Sequence, residues 1–277
     1  MVDSINTNAS SLLGVRNLQS NSKSLANTQN QLATGKKVDS APDNAAILSI
    51  SQILQSDVAG LNSVKASLDR AISTTDVALA AGDQVSDLLI DLKEKAVQAA
   101  DPGLDEASRL ALNDDFTALR DQISSVVDSA SFNGLNAVKS DGDDITAIVG
   151  SDGQDNITIN AQDLSLGGAN VTLSASQGIA TPTDAESAVS AIEDSINNVT
   201  SAIAEIGSGS QQLQQTKDFT ETLQVKTQEG IGNLVDADIA AASAEFTAGQ
   251  VREALGVQSL SISNQQPAAI LSLFENG

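Results

Sequence analysis

Adjacent carboxylates at Asp114 and Asp115 are the nearest thing in this chain to a general acid–base pair, and five more aspartates, Asp141, Asp143, Asp144, Asp152 and Asp155, lie in a stretch rich in Asp-Gly steps. Paired carboxylates do acid–base work when both converge on one substrate. Neighbours on a helix point about 100° apart, so Asp114 and Asp115 diverge. The second set offers oxygen donors of the kind calcium takes, yet neither "SDGDD" nor "GSDGQD" has the full spacing or the terminal Glu of an EF-hand loop. Tight turns use the same residue types, because Asp and Gly satisfy reversing backbone. With no His and no Cys, the chain lacks the commonest general base, the usual transition-metal ligands, thiol nucleophiles and disulfides. An enzyme is therefore not expected, and neither a cofactor nor a metal is implied.

The 277 residues include five Phe and neither Tyr nor Trp, so Ala, Ser, Leu, Ile and Val supply most of the apolar surface. Such side chains suit closely packed helices. A net charge of −22, from 36 acidic against 14 basic residues, repels phosphate at long range and argues against nucleic-acid or membrane partners. Arg16 and Lys23 are the only basic groups in the first thirty residues, and no continuous apolar run accompanies them. Neither a cleaved secretory signal nor a membrane span is expected.

The elements that carry these residues are helical. One series, Ile47, Leu54, Leu61, Leu68, Thr75, Gly82, Leu89 and Ala96, repeats every seven residues, and a second runs three residues ahead through Ile50, Asp57, Val64, Ala71, Ala78, Val85, Leu92 and Ala99. All but Thr75, Gly82 and Asp57 are apolar, which predicts a heptad helix roughly 80 Å long from Ile47 to Ala100. Pro102 and Gly103 force a turn. A second helix, with Leu112, Phe116, Leu119, Ile123, Val126 and Ala130 at alternating steps of four and three, packs back antiparallel and ends near Asn133–Gly134.

Between 140 and 182 the runs "DITAIV", "NITIN" and "NVTLS" alternate or carry β-branched residues, and tight turns separate them. They are read as short strands. Helix resumes at "TPTDAESAV", where Thr183 and Glu186 have capping-box spacing. A stripe of Ala185, Val189, Ile192, Ile196, Val199, Ile203 and Ile206 follows, then weakens through Ser210, Leu213, Lys217 and Thr220. The fold class expected is mainly α: an elongated up-and-down helical bundle or coiled-coil rod with paired terminal helices and a small β-hairpin region.

"LATGKKVDSAPDNAA", residues 32–46, separates that rod from a short N-terminal helix. Gly35 suits a helix C-cap, Pro42 a first turn, and Asp43 the dipole. The N-terminal stripe of Ile5, Leu12, Leu18, Leu25 and Leu32 is thin, so this helix alone is marginal. At the other end, Phe246, Val251, Leu255, Leu260 and Ile262 lead to a final apolar turn of Ile270, Leu271, Leu273 and Phe274, with Pro267 beginning or kinking the last helix. Two weak terminal helices brought together by an up-and-down rod are expected to gain full stability when neighbouring copies cover them. Three regions follow: 1–40 plus 236–277 as a terminal helical domain, 41–139 plus 183–235 as the rod, and 140–182 as a small β region. A soluble coiled-coil chaperone or scaffold would also explain the heptads, but not the apolar last turn.

"LATGKKVDSAPDNAAILSIS", "SFNGLNAV" and "VDADIAAASAEFTAGQVREALGVQSLSISNQQPAAILSLF" resemble bacterial flagellin, the subunit of the flagellar filament, over roughly 1–140 and 180–277. The resemblance implies a structural subunit that polymerises for motility, with paired termini forming an inner tube and the rod an outer one. It implies an extracellular filament reached by type III export without a cleaved signal peptide. The implied partners are further copies of the chain, hook-associated and cap proteins, and a cytoplasmic export chaperone. The implied subunit interface comprises Ile5, Leu12, Leu18, Leu25, Leu32, Val251, Leu255, Leu260, Ile270, Leu271, Leu273 and Phe274, each of which has packing within its own subunit as the alternative. Only residues 140–182 stand where long flagellins insert outer domains, so a short flagellin is implied. A hook–filament junction protein would share the terminal helices. Some flagellins carry O-linked sugars, for which Thr172, Ser174 and Ser176 are candidate acceptors as well as ordinary strand residues. Members sensed by the vertebrate innate receptor usually carry Arg where Asp91 stands, which implies weak recognition.

Overall fold

The computed structural model describes the backbone of residues 8–275 and the side chains of 8–265. In chain order the described elements are α1 (Ala9–Thr34), α2 (Ala41–Ala99), α3 (Glu106–Ser129), β1 (Ile145–Ile148), β2 (Asn156–Ile159), α4 (Pro182–Val235) and α5 (Ile239–Glu275). The fold is mainly helical with one small antiparallel hairpin. The chain divides into two compact units, Met1–Ser56 with Thr227–Gly277 and Asp57–Lys226.

In the Asp57–Lys226 unit the heptad positions of α2 face inward: Val64, Leu68, Ala71, Ala78, Val85, Leu89, Leu92, Ala96 and Ala99 are buried. The apparent exceptions have reasons. Thr75 is fully buried and its hydroxyl donates to the Ala71 carbonyl at 2.8 Å. At Gly82 a Cβ would stand 2.8 Å from Ile203 Cγ1, so glycine admits the α4 side chain that packs there. Asp57 is exposed. Along this pair Lys93 meets Glu193, Asp69 meets Lys217, Lys65 meets Glu221 and Asn62 meets Gln224. One set of numbers rises as the other falls, so α2 and α4 run antiparallel. These exposed ion pairs contribute little stability each, but mismatched charges penalise a slipped register. The hydrogen bond and charge of Lys65 hold Glu221 below its ordinary value, and Asp69 raises Lys217 in the same way.

α3 returns along α2. Asp105 caps it, accepting the Ser108 N–H at 3.0 Å and the Ser108 hydroxyl at 2.7 Å, and these bonds hold its carboxyl below the usual range. Phe116, Ile123 and Val127 are buried. After α3, Asn133 and Gly134 take positive φ angles of 52° and 84°, the geometry that makes Asn-Gly a reversing pair. Buried Asn136 donates to the Val127 carbonyl and accepts the N–H groups of Val138 and Lys139. One side chain thus satisfies the end of α3 and the turn that leaves it.

Four local expectations need correction. "DITAIV" and "NITIN" pair as β1 and β2, Ile145 opposite Ile159 and Ile148 opposite Asn156, but "NVTLS" forms no strand. Its Val171 and Leu173 are buried, Thr172 N–H donates to Ser195 Oγ, and Thr172 Oγ1 donates to the Ala191 carbonyl. Thr172 is thus held by α4, while the Val171 and Leu173 carbonyls accept the Gly167 N–H, so the segment lies on a helix instead of joining the hairpin. The cap of α4 is Thr181 instead of Thr183: Thr181 Oγ1 accepts the Asp184 N–H and donates to its carboxylate. Pro182, with no N–H and a helical φ, fits the first helical position and sets the cap before it. Pro42 and Asp43 belong to a separate turn, whose Asp43 carboxylate accepts from the N–H groups of Asp39 and Ser40 and from the Ser40 hydroxyl. The Ser40 bonds hold Asp43 below its ordinary value. Asn44 then breaks the helical run at φ −164° and ψ 99°, and its Oδ1 accepts the Ile47 N–H at 3.1 Å. Asn44 is therefore the cap of the long helix.

Elsewhere the turns behave as their residue types suggest. Asp144 accepts the Ala161 N–H at 2.8 Å, Asp152 accepts that of Gln154 at 3.2 Å, and Asp143 accepts that of Asn136 at 3.4 Å. Of the two alternatives for Pro267, beginning or kinking the last helix, the first does not hold, because α5 runs through it.

Candidate self-assembly surface

The other unit is built on α1 and α5, which pack antiparallel. Asn8 closes the start of α1, its Oδ1 accepting the Ser11 N–H at 3.0 Å, and Gly35 ends it at φ 72°, a left-handed cap that favours glycine. Leu18 meets Gly256, Leu25 meets Gly249, and Leu260 meets Gly14: a Cβ on those glycines would stand 3.1, 2.6 and 3.2 Å from the leucine methyls. Each leucine of one helix occupies the gap a glycine leaves in the other. Polar cross-links run beside this seam, from Asn21 Nδ2 to the Gly249 carbonyl at 2.9 Å and from the Ser22 hydroxyl to Glu253 at 3.2 Å. Beyond α1 the chain is clasped by backbone bonds from Lys37 N–H to the Val235 carbonyl and from Ala237 N–H to the Gly35 carbonyl. Val38, Ile231 and Val235 are buried here. The "TGKKV" break is thus a docked turn.

The faces away from the seam are apolar and open. Leu12 and Leu13 of α1 are each 61% exposed, and on α5 Leu255 is 64% and Ile262 62% exposed. At about 100° per residue, Val251, Leu255 and Ile262 fall roughly half a turn from Leu260. α5 carries apolar residues on all sides, a pattern typical of helices surrounded by other chains or segments, whereas within one subunit the seam covers one side.

The residues assigned to an interface therefore separate. Leu18, Leu25 and Leu260 lie in the seam of their own subunit, and Leu32 is half-buried. Leu12, Val251 and Leu255 are exposed. Ile5 and the side chains of Ile270, Leu271, Leu273 and Phe274 lie outside the described residues. Leu13, Val15 and Val257 escape the heptad reading, since they fall off its two stripes. The seam glycines are legible as a repeat: Ala242, Gly249, Gly256 and Ser263 are seven apart.

Charge is distributed unequally between the units. Met1–Ser56 with Thr227–Gly277 holds nine acidic and five basic residues, a net −4, whereas Asp57–Lys226 holds 27 acidic and nine basic, a net −18. α1 itself contains no acidic residue. Repulsion between copies therefore comes mostly from Asp57–Lys226, and the apolar faces of α1 and α5 carry little of it. Salt shortens the range of that repulsion from about 30 Å at 0.01 M to about 8 Å at 0.15 M. Seeded elongation, followed by light scattering, is expected to quicken over that range; slowing would show that attraction between charged groups dominates.

A model of the bacterial flagellin N-terminal helical region matches residues 5–139, and one of the C-terminal helical region matches residues 189–274. The chain is also 40% identical over 273 residues to flagellin FljK of Caulobacter vibrioides, covering 99% of each chain. The chain belongs to the flagellin family. A flagellin of Brucella melitensis is 30% identical over 284 residues, with 98% of this chain and 99% of that one covered. The fold of this flagellin also resembles a solved structure titled as a putative flagellar hook-associated protein from Vibrio parahaemolyticus, with a TM-score of 0.55, 13% identity, and coverage of 71% of this chain and 99% of that one. At that identity the likeness is one of fold. The two family models leave residues 140–188 between them, the segment that holds the hairpin and the start of α4. Asp91 is exposed on α2.

Proposed function

We propose that this flagellin, a structural subunit of the flagellar filament, polymerises by covering the exposed apolar faces of α1 and α5 with sister copies. The observation that supports this most is α5 itself, which carries apolar residues on all sides while the seam with α1 covers one. Leu12, Leu13, Val251, Leu255 and Ile262 make the first contacts between subunits in this reading, with Ile5, Ile270, Leu271, Leu273 and Phe274 extending them. Leu18, Leu25, Leu32 and Leu260 align the two helices that present those faces. Regions 1–40 plus 236–277 then act as the assembling part and the remainder as the outer, torque-bearing part. The filament is extracellular; export without a cleaved signal, and engagement of an export chaperone and of hook-associated and cap proteins, complete the proposal. A filament subunit is favoured over a junction protein because full-length relatives at 40% identity are flagellins.

Truncation before Gln266 tests the reading. The shortened chain is expected to keep the helicity of Asp57–Lys226 and to remain unincorporated when seeds are added. Incorporation at the full-length rate would overturn it.

If the chain bears O-linked sugar, Ser174 and Ser176 are the better acceptors. Both are exposed, and they hydrogen-bond mainly to each other, whereas the Thr172 hydroxyl is used by Ala191. Intact mass of S174A/S176A against the unsubstituted chain reads this directly: added mass is expected to disappear in the double variant and to persist in T172A.

A further inference from the structure

In α5 the N–H of residue 267 should donate to the carbonyl of Ser263, four residues back. Residue 267 is proline and has no such hydrogen. The Ser263 carbonyl is nevertheless satisfied: Asn8 Nδ2 donates to it from the cap of α1 at 2.8 Å. The Asn8 side chain is engaged at both ends, because its oxygen caps α1 through the Ser11 N–H. Ser11 Oγ to Asn264 Oδ1, at 2.8 Å, lies alongside.

We propose that Asn8, Ser263 and Pro267 form a register key, in which the proline frees one carbonyl of α5 so that the amide of Asn8 fixes how α1 and α5 are aligned. The seam needs such a key. Leucines seven apart on α1 face small residues seven apart on α5, a pattern that repeats when one helix slides by a heptad, and a single polar partner commonly sets register in helix pairs. Asn21 also reaches a carbonyl, that of Gly249, but Gly249 lies inside α5 with residue 253 able to donate to the same oxygen. The Ser263 carbonyl lacks that competing donor. Asn8 is thus a positioning residue, and its effect on assembly rests on the filament reading above.

The test is epistasis in the full-length chain. Asn8→Asp keeps the acceptor for Ser11 and removes the donor for Ser263. In the natural Pro267 background it is expected to raise the critical concentration for seeded polymerisation about tenfold, the scale of one unsatisfied carbonyl. With Pro267→Ala, whose restored N–H serves Ser263, the same substitution should cost less than about threefold. Equal losses in both backgrounds, or no loss in either, would overturn the key. Where Pro267→Ala alone prevents polymerisation, limited proteolysis of the soluble full-length chain reads the same coupling: Asn8→Asp should speed cleavage within α1 or α5 when Pro267 is present and not in the Pro267→Ala background. Equal acceleration, or none, would overturn the proposal there. The proteolysis arm does not depend on filament formation, so failure of the key and failure of the assembly reading are distinguishable.

Discussion

Leu255→Lys should leave the soluble subunit almost unchanged while slowing elongation of filament seeds at least a hundredfold. Leu255 is 64% exposed, so the lysine head stays in water in the free subunit and stability shifts by no more than about 0.5 kcal/mol. On the proposed assembly reading, the same side chain enters an apolar contact in a filament. An unpaired ammonium there costs several kcal/mol, and about 2.7 kcal/mol already corresponds to a hundredfold change in an equilibrium. Leu25→Lys is the informative contrast, because Leu25 lies against Gly249 within its own subunit and its replacement should loosen the α1–α5 pair before any assembly. Circular dichroism with light scattering separates the two. Normal elongation of the Leu255→Lys chain would remove the α5 face from the interface.

Arg109→Ala should damage the stability of Asp57–Lys226 on the scale of losing a buried apolar side chain. Arg109 is 8% exposed and its hydrogen-bond partners are backbone carbonyls; its Nε donates to the Ala99 carbonyl at 2.9 Å and its Nη2 to the carbonyls of Asp101 and Leu104, each at 3.0 Å. A cation therefore sits at the negative end of α2 and satisfies three backbone groups in the turn to α3. Alanine leaves those acceptors without their donor, a loss of roughly 3 kcal/mol, which lowers the melting temperature by about 5–12 °C for a unit of this size. Arg109→Lys should recover less than half, since an ammonium cannot reproduce the planar fork. A melting temperature within about 2 °C of the unsubstituted chain would show that water replaces the guanidinium at little cost.

How much of this is legible in the sequence depends on what sets each feature. The heptads of α2, the reversal at Pro102–Gly103, the turn at Asn133–Gly134 and the helical stripe of α4 follow from local periodicity and turn chemistry, and the structure bears them out. The caps at Thr181 and Asn44 escape such a reading because competing Ser, Thr, Asp and Asn residues lie within two or three positions, and backbone geometry decides among them. The absent third strand escapes it because Val171 and Leu173 alternate with polar residues on a helix as they would in a sheet. Arg109 gives no signal at all, since a buried arginine whose partners are carbonyls leaves no acidic residue to pair with it. In the terminal helices the stripe locates the apolar residues but not which face each takes. Leu18 and Leu255 read alike in sequence, and the seam glycines are what separate them.

Amide exchange across residues 8–34 and 239–265, compared between the soluble subunit and seeded filaments, is the most direct measurement of whether α1 and α5 find their missing contacts on sister copies. Protection there should rise by at least about tenfold on polymerisation while Asp57–Lys226 changes little. Terminal helices already as protected in the free subunit as the buried core of α2, with no further gain in filaments, would contradict it.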